Sequence, residues 1–168
     1  MKNIVLIGMP GCGKTTIGEL VGKHLNREYI DTDELIEKNA ESTIPDIFKK
    51  HGEPYFRALE SKAAELAGTY KNKIIATGGG IILKESNMKA LKENGIIIFI
   101  DRPLEHLFSD IDEESRPLLK DNRSHLYKLY EERYPLYMAF ADCHILNNQT
   151  IDEVVLEIET FLNRSESK

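Results

Sequence analysis

The chain of 168 residues has the length of one ordinary domain, and its 41% hydrophobic and 30% charged residues exclude a disordered or collagen-like polymer. Its 22 Lys and Arg against 28 Asp and Glu give a formal charge of −6, so it has no overall electrostatic attraction for nucleic acid or an anionic membrane. It has only two cysteines, no apolar run near the ~20 residues of a membrane span, and no cleavable signal pattern. We therefore expect a soluble cytoplasmic protein that captures any anion with a local cluster of donors.

Short apolar runs alternate with longer amphipathic stretches along the chain. Helices are predicted over residues 14–25, from Pro45 to a stop at Gly68 with a break near residues 52–54, and after a capping box of Thr150 and Glu153. Strands are predicted at residues 4–7, 28–31, 73–76, 96–100 and 143–146. This alternation indicates an α/β fold, in which one domain of residues 1–168 has a parallel sheet with helices on both faces. Ligands of such sheets bind beyond the carboxyl ends of the strands, so the loops there hold the candidate site.

The loop after the first strand carries the most specific motif. Residues 8–15, here named the phosphate loop, read Gly-Met-Pro-Gly-Cys-Gly-Lys-Thr and match G-x-x-x-x-G-K-[ST] in full. Its glycines let backbone N–H groups converge on phosphates, Lys14 reaches the terminal phosphates, and the Thr15 hydroxyl suits Mg²⁺. A glycine-rich turn with a chance lysine is the alternative, which the full pattern in this context disfavours. The sequence therefore predicts a nucleoside triphosphate site.

Two further loops each allow two interpretations. Asp31 and Asp33 follow the second strand and, in extended chain, would point to the same side, one toward a metal ion and one toward a substrate hydroxyl. Alternatively, Thr32 or Asp33 caps a helix that starts there. Residues 78–80, here named the glycine loop, are three consecutive glycines that suit either close approach of a ligand to backbone or a tight turn.

Two arginines are also ambiguous from their local patterns. Arg57 has Glu60 three residues on, which is typical of an ion pair on a helix surface. Arg133 fits a solvated charge on a helix equally well. Neither arginine is diagnostic of a function by itself.

The full set of motifs resembles that of the shikimate kinases, in order and approximate spacing, over residues 2–150. The resemblance rests on the phosphate loop and on Asp31-Thr32-Asp33, Phe56-Arg57 with Glu60, Ala76-Thr77-Gly78-Gly79-Gly80, Arg116-Pro117-Leu118-Leu119 and Arg133-Tyr134-Pro135-Leu136-Tyr137. It implies a three-layer α/β/α fold with a five-stranded sheet in the order 2-3-1-4-5. It also implies a substrate-binding segment at about 32–68 and a mobile lid at about 109–123.

The resemblance further implies an activity, which is transfer of the γ-phosphate of ATP to the 3-hydroxyl of shikimate in the route to chorismate and the aromatic amino acids. Arg57 and Arg133 would hold the shikimate carboxylate. Asp33 would bind ring hydroxyls and receive a proton, next to the backbone of Gly79 and Gly80. Arg116 of the lid would neutralise charge on the transferring phosphate.

The nucleotide and its metal ion have their own implied contacts. The residues implied to bind ATP are Gly11, Cys12, Gly13, Lys14, Thr15, Thr16, Arg116 and Gln149. Mg²⁺ would be held by Thr15 and, through water, by Asp31. The segment 147–149 is expected to face the purine, whereas the acidic residues around 110–114 stand where similar kinases tend to carry basic ones.

The implied partners are the small molecules ATP and shikimate, with no nucleic acid and no membrane, and the expected state is a monomer. Two other functions remain open. One is another small-metabolite kinase, such as a gluconate or nucleoside monophosphate kinase. The other is a nucleotide-binding regulator that has lost transfer chemistry, which would predict damage to Lys14, Asp33 or Arg116, and none of the three is missing.

Overall fold

The sheet is assembled from the apolar runs, because β-branched side chains suit strands that are covered on both faces. The computed structural model describes residues 1–109 and 119–166. Within those residues the sheet has five strands: β1 (Asn3–Ile7), β2 (Tyr29–Asp31), β3 (Ile74–Ala76), β4 (Gly95–Asp101) and β5 (Cys143–Leu146). All strand pairs are parallel and the order is β2-β3-β1-β4-β5, which confirms the implied topology.

Helices cover both faces of this sheet. The same two ranges contain eight of them: α1 (Lys14–Leu25), α2 (Thr32–Ala40), α3 (Ile44–His51), α4 (Glu53–Thr69), α5 (Glu85–Glu93), α6 (Leu104–Ser109), α7 (Leu119–Phe140) and α8 (Ile151–Glu166). All five residues of β1 are buried, as expected of a central strand between two helical layers. Val5 of β1 lies opposite Ile75 of β3 and Ile97 of β4, and all three side chains are wholly buried. In the described part of the chain, no helix combines the length and the apolar character that crossing a membrane requires.

Helix boundaries confirm two predictions and correct one. The break between α3 and α4 falls at Gly52, whose φ of 78° favours glycine. The capping box forms before α8, with Thr150 N donating to Glu153 Oε2 at 2.9 Å and Glu153 N donating to Thr150 Oγ1 at 3.4 Å. Gly68, however, does not end α4, which runs to Thr69. A Cβ on Gly68 would lie 2.3 Å from the carbonyl oxygen of Ala90, so this glycine is explained by close approach of α4 to α5.

A second, smaller core lies beside the sheet core. Its buried side chains are Ile36 of α2, Ile47 of α3, and Phe56 and Ala63 of α4. Burying an isoleucine or phenylalanine side chain contributes about 1.5–3 kcal/mol, so this cluster ties the three helices together. These helices carry Asp33 and Arg57, and the cluster therefore fixes the support of both side chains.

Candidate active site

The phosphate loop connects β1 to α1 through backbone conformations that favour glycine. Gly11 has a φ of 75° and Gly13 a φ of 96°, both in the left-handed region. Gly13 is the N-cap of α1 and offers no side chain to the first helical N–H groups. Those groups and the helix dipole are therefore directed at whatever anion occupies the loop.

Lys14 lies across this loop and is 8% exposed. Its Nζ donates to the carbonyl oxygens of Gly8 and Met9 at 2.9 and 2.8 Å. Burial of an ammonium group is costly unless its donors are satisfied, and the loop carbonyls supply that compensation. The ammonium group of Lys14 is thus held at the phosphate loop, where it can bind phosphate oxygens.

Asn147, which follows β5, braces the phosphate loop from behind. Its Nδ2 donates to the carbonyl oxygen of Cys12 at 2.9 Å, and its backbone N donates to Asp101 O at 2.7 Å. The Asn147 side chain is therefore buried against the loop, and the contact of the segment 147–149 with the purine stays a prediction, with Gln149 as the residue implied to make it. Cys12 is also fully buried, and its Sγ accepts a hydrogen bond from Lys14 Nζ at 3.5 Å. Gln149 is exposed, and its amide donates to Glu157 at 3.2 Å.

The loop after β2 leads directly into α2, and one of its two aspartates caps that helix. Asp31 is the N-cap of α2, since its Oδ1 accepts the backbone N–H of Asp33 at 2.8 Å. Thr32 and Asp33 are not the cap, and they do not continue an extended chain, because both lie in the first turn of α2. The hydroxyl oxygen of Thr32 instead accepts a hydrogen bond from Gly78 N at 3.2 Å.

The Asp33 carboxylate has an oxygen with no partner. Its Oδ1 is buried and makes no hydrogen bond within the described residues. Burial, reinforced by the negative charges of Asp31 and Glu60, raises the pKa of Asp33 to about 6, while Lys14 acts in the opposite direction. A buried polar atom without a partner is costly, and such an atom at the mouth of a cavity is typical of a binding or catalytic group.

The glycine loop is the meeting point of the site. A Cβ on Gly78 would lie 2.7 Å from Asp33 Oδ1, one on Gly79 would lie 2.8 Å from Pro10, and one on Gly80 would lie 2.3 Å from Arg57 NH1. None of the three glycines has a left-handed φ. Their identity is therefore explained by space: Asp33, the phosphate loop and Arg57 all contact this backbone.

Arg57 forms the ion pair that its spacing predicted, but the pair is not on the surface. Arg57 NH1 donates to both carboxylate oxygens of Glu60 at 3.0 and 2.9 Å, and the Glu60 side chain is only 2% exposed. Arg57 Nε and NH2 donate to Glu53 Oε1 at 3.2 and 3.0 Å, and Glu53 is 60% exposed. The guanidinium is therefore held on one side by a buried carboxylate and on the other by one that solvent reaches.

Arg133 of α7 acts on the same buried carboxylate. Burial raises the pKa of Glu60, and Arg57 together with the charge of Arg133 opposes that rise. Arg133 also interacts with Tyr137, one helical turn away, whose hydroxyl donates to Gly79 O at 2.5 Å. The sequence analysis names Tyr137 only within the motif of residues 133–137 and gives it no role in the site, although its spacing of four residues from Arg133 was the available signal.

The groups of the candidate site line two neighbouring cavities rather than one. A cavity of about 450 Å³ is lined by the phosphate loop, by Asp31 and Asp33, and by Gly78 and Gly79. Arg57 lines a neighbouring cavity of about 370 Å³ together with Glu53 and Glu60. Arg116 lies outside the described residues, as do residues 110–118 of the predicted lid.

Oxygen donors suited to Mg²⁺ line the larger cavity. Thr15 offers a hydroxyl and Asp31 a carboxylate. Within the described residues, no group of three or more His, Cys, Asp or Glu side chains is arranged to hold a metal ion. This donor set fits a cation that is bound through one or two protein groups and is otherwise held by phosphates and water, which is how Mg²⁺ binds at phosphoryl-transfer sites.

Phosphate capture at one end of the cavity and an unpartnered carboxylate at the other suit transfer of a phosphoryl group to a hydroxyl. The parallel sheet with its phosphate loop after the first strand places the chain in the class of P-loop kinases.

Comparison with known proteins identifies the family. A sequence profile described as Shikimate kinase matches residues 10–163. The shikimate kinase of Clostridium beijerinckii is 50% identical over 163 residues, and the alignment covers 96% of each chain. The shikimate kinase of Clostridium botulinum strain Eklund 17B is 48% identical, and the alignment covers 96% of this chain and 98% of the relative. The structure of shikimate kinase from Acinetobacter baumannii in complex with shikimate superposes with a TM-score of 0.91 at 34% identity, covering 100% of this chain and 96% of that one. Shikimate kinase from Aquifex aeolicus gives a TM-score of 0.86 at 36% identity, with 98% of both chains covered. The chain belongs to the shikimate kinase family, whose members are phosphotransferases with an alcohol group as acceptor.

Proposed function

We propose that this chain transfers the γ-phosphate of ATP to the 3-hydroxyl of shikimate, giving shikimate 3-phosphate and ADP. The observation that carries the proposal is the glycine loop, which contacts Asp33, the phosphate loop and Arg57 through three successive residues. A ligand that spans this loop meets an arginine at one end and the phosphate loop at the other. Shikimate, with one carboxylate and three ring hydroxyls, has groups for both ends.

The nucleotide is held by the phosphate loop. The β- and γ-phosphates are proposed to accept hydrogen bonds from the backbone N–H groups of Gly11, Cys12 and Gly13 and of the first turn of α1 at Lys14, Thr15 and Thr16. The Cys12 N–H, which donates to Met9 O at 3.2 Å, would exchange that partner for phosphate. Lys14 exchanges its loop carbonyl partners for phosphate oxygens. Gln149, in the exposed segment between β5 and α8, is the proposed neighbour of the adenine.

Mg²⁺ has two proposed protein contacts, the Thr15 hydroxyl directly and Asp31 through water. When bound, the cation would offset the negative charge of the phosphate oxygens. Asp31 serves α2 at the same time, because its Oδ1 caps the helix. The position of the metal-binding carboxylate and the position of Asp33 are thereby linked.

The acceptor is oriented by its carboxylate. Arg57 donates two hydrogen bonds to Glu60, and the charge of Arg133 lowers the pKa of the same carboxyl, which supports the proposal that a second carboxylate entering from the solvent side meets both guanidinium groups. It displaces the exposed Glu53 from Arg57, whereas the buried Glu60 keeps its two hydrogen bonds. The backbone of Gly79 and Gly80 lies against the ring because no side chain intervenes.

Asp33 completes the reaction chemistry. Its unpartnered oxygen accepts the hydrogen bond of the attacking hydroxyl and holds that oxygen in line with the γ-phosphate. With a pKa of about 6, the carboxylate is mostly ionised at neutral pH, and it receives the proton as the new bond forms. Arg116 is proposed to approach the transferring phosphate from the lid and to neutralise its charge.

A substrate panel tests the reaction and its acceptor site together. ADP release with MgATP is measured with shikimate, shikimate methyl ester, gluconate and nucleoside monophosphates. We expect turnover of shikimate, and an Arg57→Ala variant should raise its KM about 10- to 100-fold, since hydrogen bonds to charged groups contribute about 1.5–3 kcal/mol. The same substitution should barely change the KM of the methyl ester, which lacks the carboxylate charge. Arg164→Ala, on the exposed face of α8, is the matched control and should leave both KM values unchanged.

Three results would contradict the proposal. Turnover of gluconate or a nucleotide in place of shikimate would assign another kinase activity. Nucleotide binding without ADP release for any acceptor would assign a regulator. Equal losses for acid and ester in Arg57→Ala would show that Arg57 does not bind the carboxylate.

A further inference from the structure

Tyr29 occupies a slot beside the phosphate loop that α1 leaves open. It is the first residue of β2 and lies two residues before Asp31, so both side chains point to the same face of the sheet. A Cβ on Gly18 of α1 would lie 2.7 Å from Tyr29 Cε2 and 3.1 Å from Cδ2. The ring therefore lies directly on the helix backbone at Gly18, and its position is tightly defined.

The Tyr29 hydroxyl connects the two proposed protein contacts of the cation. It donates a hydrogen bond to Asp31 Oδ2 at 3.2 Å. Burial and the Asp31 charge raise the pKa of the phenol, and a side-chain hydrogen bond with Thr15 opposes that rise. The phenol oxygen therefore lies between the Thr15 hydroxyl and the Asp31 carboxylate.

This arrangement matters for metal binding. A threonine hydroxyl has one proton and two lone pairs, and the proton must point away from a cation that the oxygen ligates. The Tyr29 hydroxyl donates its own proton to Asp31 and can accept the proton of Thr15, which would leave the lone pairs of Thr15 for the cavity. Asp31 is oriented at both oxygens, because Oδ1 caps α2 and Oδ2 accepts from the phenol.

We propose that Tyr29 is a positioning residue for the divalent cation, which aligns the Thr15 hydroxyl and the Asp31 carboxylate for Mg²⁺ bound with the nucleotide. The inference rests on the proposed nucleotide and metal site. Tyr29 itself does not touch the cation. Partners that orient metal ligands in this way typically change metal affinity by about 10- to 100-fold when they are removed.

A Tyr29→Phe variant tests this role, because the ring stays in the Gly18 slot and only the hydroxyl is lost. ADP binding is measured by calorimetry across a titration of MgCl₂ and again with the metal chelated. We expect the magnesium concentration for half-maximal enhancement of ADP binding to rise about tenfold. ADP binding without metal should stay unchanged. Tyr70→Phe is the control, since Tyr70 follows α4 near the amino-terminal ends of β1 and β3, where Asn3 Nδ2 donates to its carbonyl oxygen, and it should match the wild type.

The outcomes separate this inference from the proposed function. A wild-type protein that binds ADP without any effect of magnesium would contradict the metal site itself. A wild type that responds to magnesium and a Tyr29→Phe variant with the same response would overturn the role of Tyr29 alone. Equal weakening of ADP binding with and without metal, or a lower melting temperature with unchanged magnesium dependence, would show that the hydroxyl supports only the loop and would also overturn it.

Discussion

Asp33→Asn is expected to stabilise the ligand-free protein at alkaline pH while removing its activity. The wild-type carboxylate is ionised there although it is partly buried, has one oxygen without a partner and faces the charges of Asp31 and Glu60. The asparagine is nearly isosteric and carries no charge. Turnover should fall at least about 100-fold, because the attacking hydroxyl loses its proton acceptor.

The magnitude of the stabilisation follows from the pKa. A rise from 3.8 to about 6 in the folded state corresponds to at most about 3 kcal/mol, since one pKa unit is worth about 1.36 kcal/mol. Asp33 is half-buried, so solvent screening reduces this to roughly half. Its place in the first turn of α2 supplies a favourable helix-dipole interaction of about 0.3–1 kcal/mol, which the asparagine loses. The expected net gain in the free energy of unfolding is about 1 kcal/mol.

The increase in the free energy of unfolding should depend on pH. A carboxyl with a raised folded pKa destabilises the folded protein only when it is ionised, so the gain is full above about pH 6 and disappears as the pH falls toward the unfolded value of 3.8. Urea unfolding is followed by far-UV circular dichroism, because the chain has no tryptophan. Asp152→Asn, in the exposed first turn of α8, calibrates the dipole interaction alone. A variant no more stable than the wild type at pH 8, or a gain that is the same at pH 4 and pH 8, would refute the reasoning.

Three other substitutions probe separate parts of the site. Gly80→Ala places a Cβ 2.3 Å from Arg57 NH1. The KM for shikimate should therefore rise at least about tenfold in steady-state assays, while the KM for ATP stays constant. An unchanged KM for shikimate would show that the position of Arg57 does not depend on this space. Asn147→Ala leaves the buried Cys12 carbonyl without its partner, which should lower the free energy of unfolding by about 1–3 kcal/mol. The KM for ATP should rise, whereas the KM for shikimate should not. An unchanged KM for ATP would limit Asn147 to a structural role. Arg116→Ala should lower kcat by about 10³-fold and leave the dissociation constant of shikimate unchanged, whereas an unchanged kcat would exclude Arg116 from the reaction.

Local patterns were sufficient for the parts of the fold that depend on local interactions. The phosphate loop, the central apolar strand and the Thr150–Glu153 capping box each use hydrogen bonds or backbone conformations within a few residues. The sheet order, by contrast, came from the resemblance, because strand pairing joins residues far apart in sequence. Gly68 was misinterpreted as a helix stop for the same reason, since its neighbour Ala90 belongs to another helix.

In the candidate site, too, contacts within a few residues could be predicted from the sequence, whereas contacts between distant residues could not. The ion pair of Arg57 with Glu60 could be predicted from spacing, but its burial could not, because the carboxylate is covered only once α4 meets the other elements of the fold. The inward orientation of Asn147 likewise depends on how β5 meets the phosphate loop. Two interpretations of Asp31 and Asp33 competed in the sequence: the helix cap exists but is Asp31 rather than Thr32 or Asp33, and the metal and substrate roles of the two carboxylates stay predictions.

The central claim is that the glycine loop brings a ring hydroxyl to the γ-phosphate, and the identity of the product tests it most directly. The protein is incubated with ATP, MgCl₂ and shikimate, and the products are followed by phosphorus NMR. We predict a new phosphomonoester signal that couples to the ring proton at carbon 3 and grows in step with ADP. Release of inorganic phosphate with intact shikimate, or a phosphate ester at another ring position, would contradict the account.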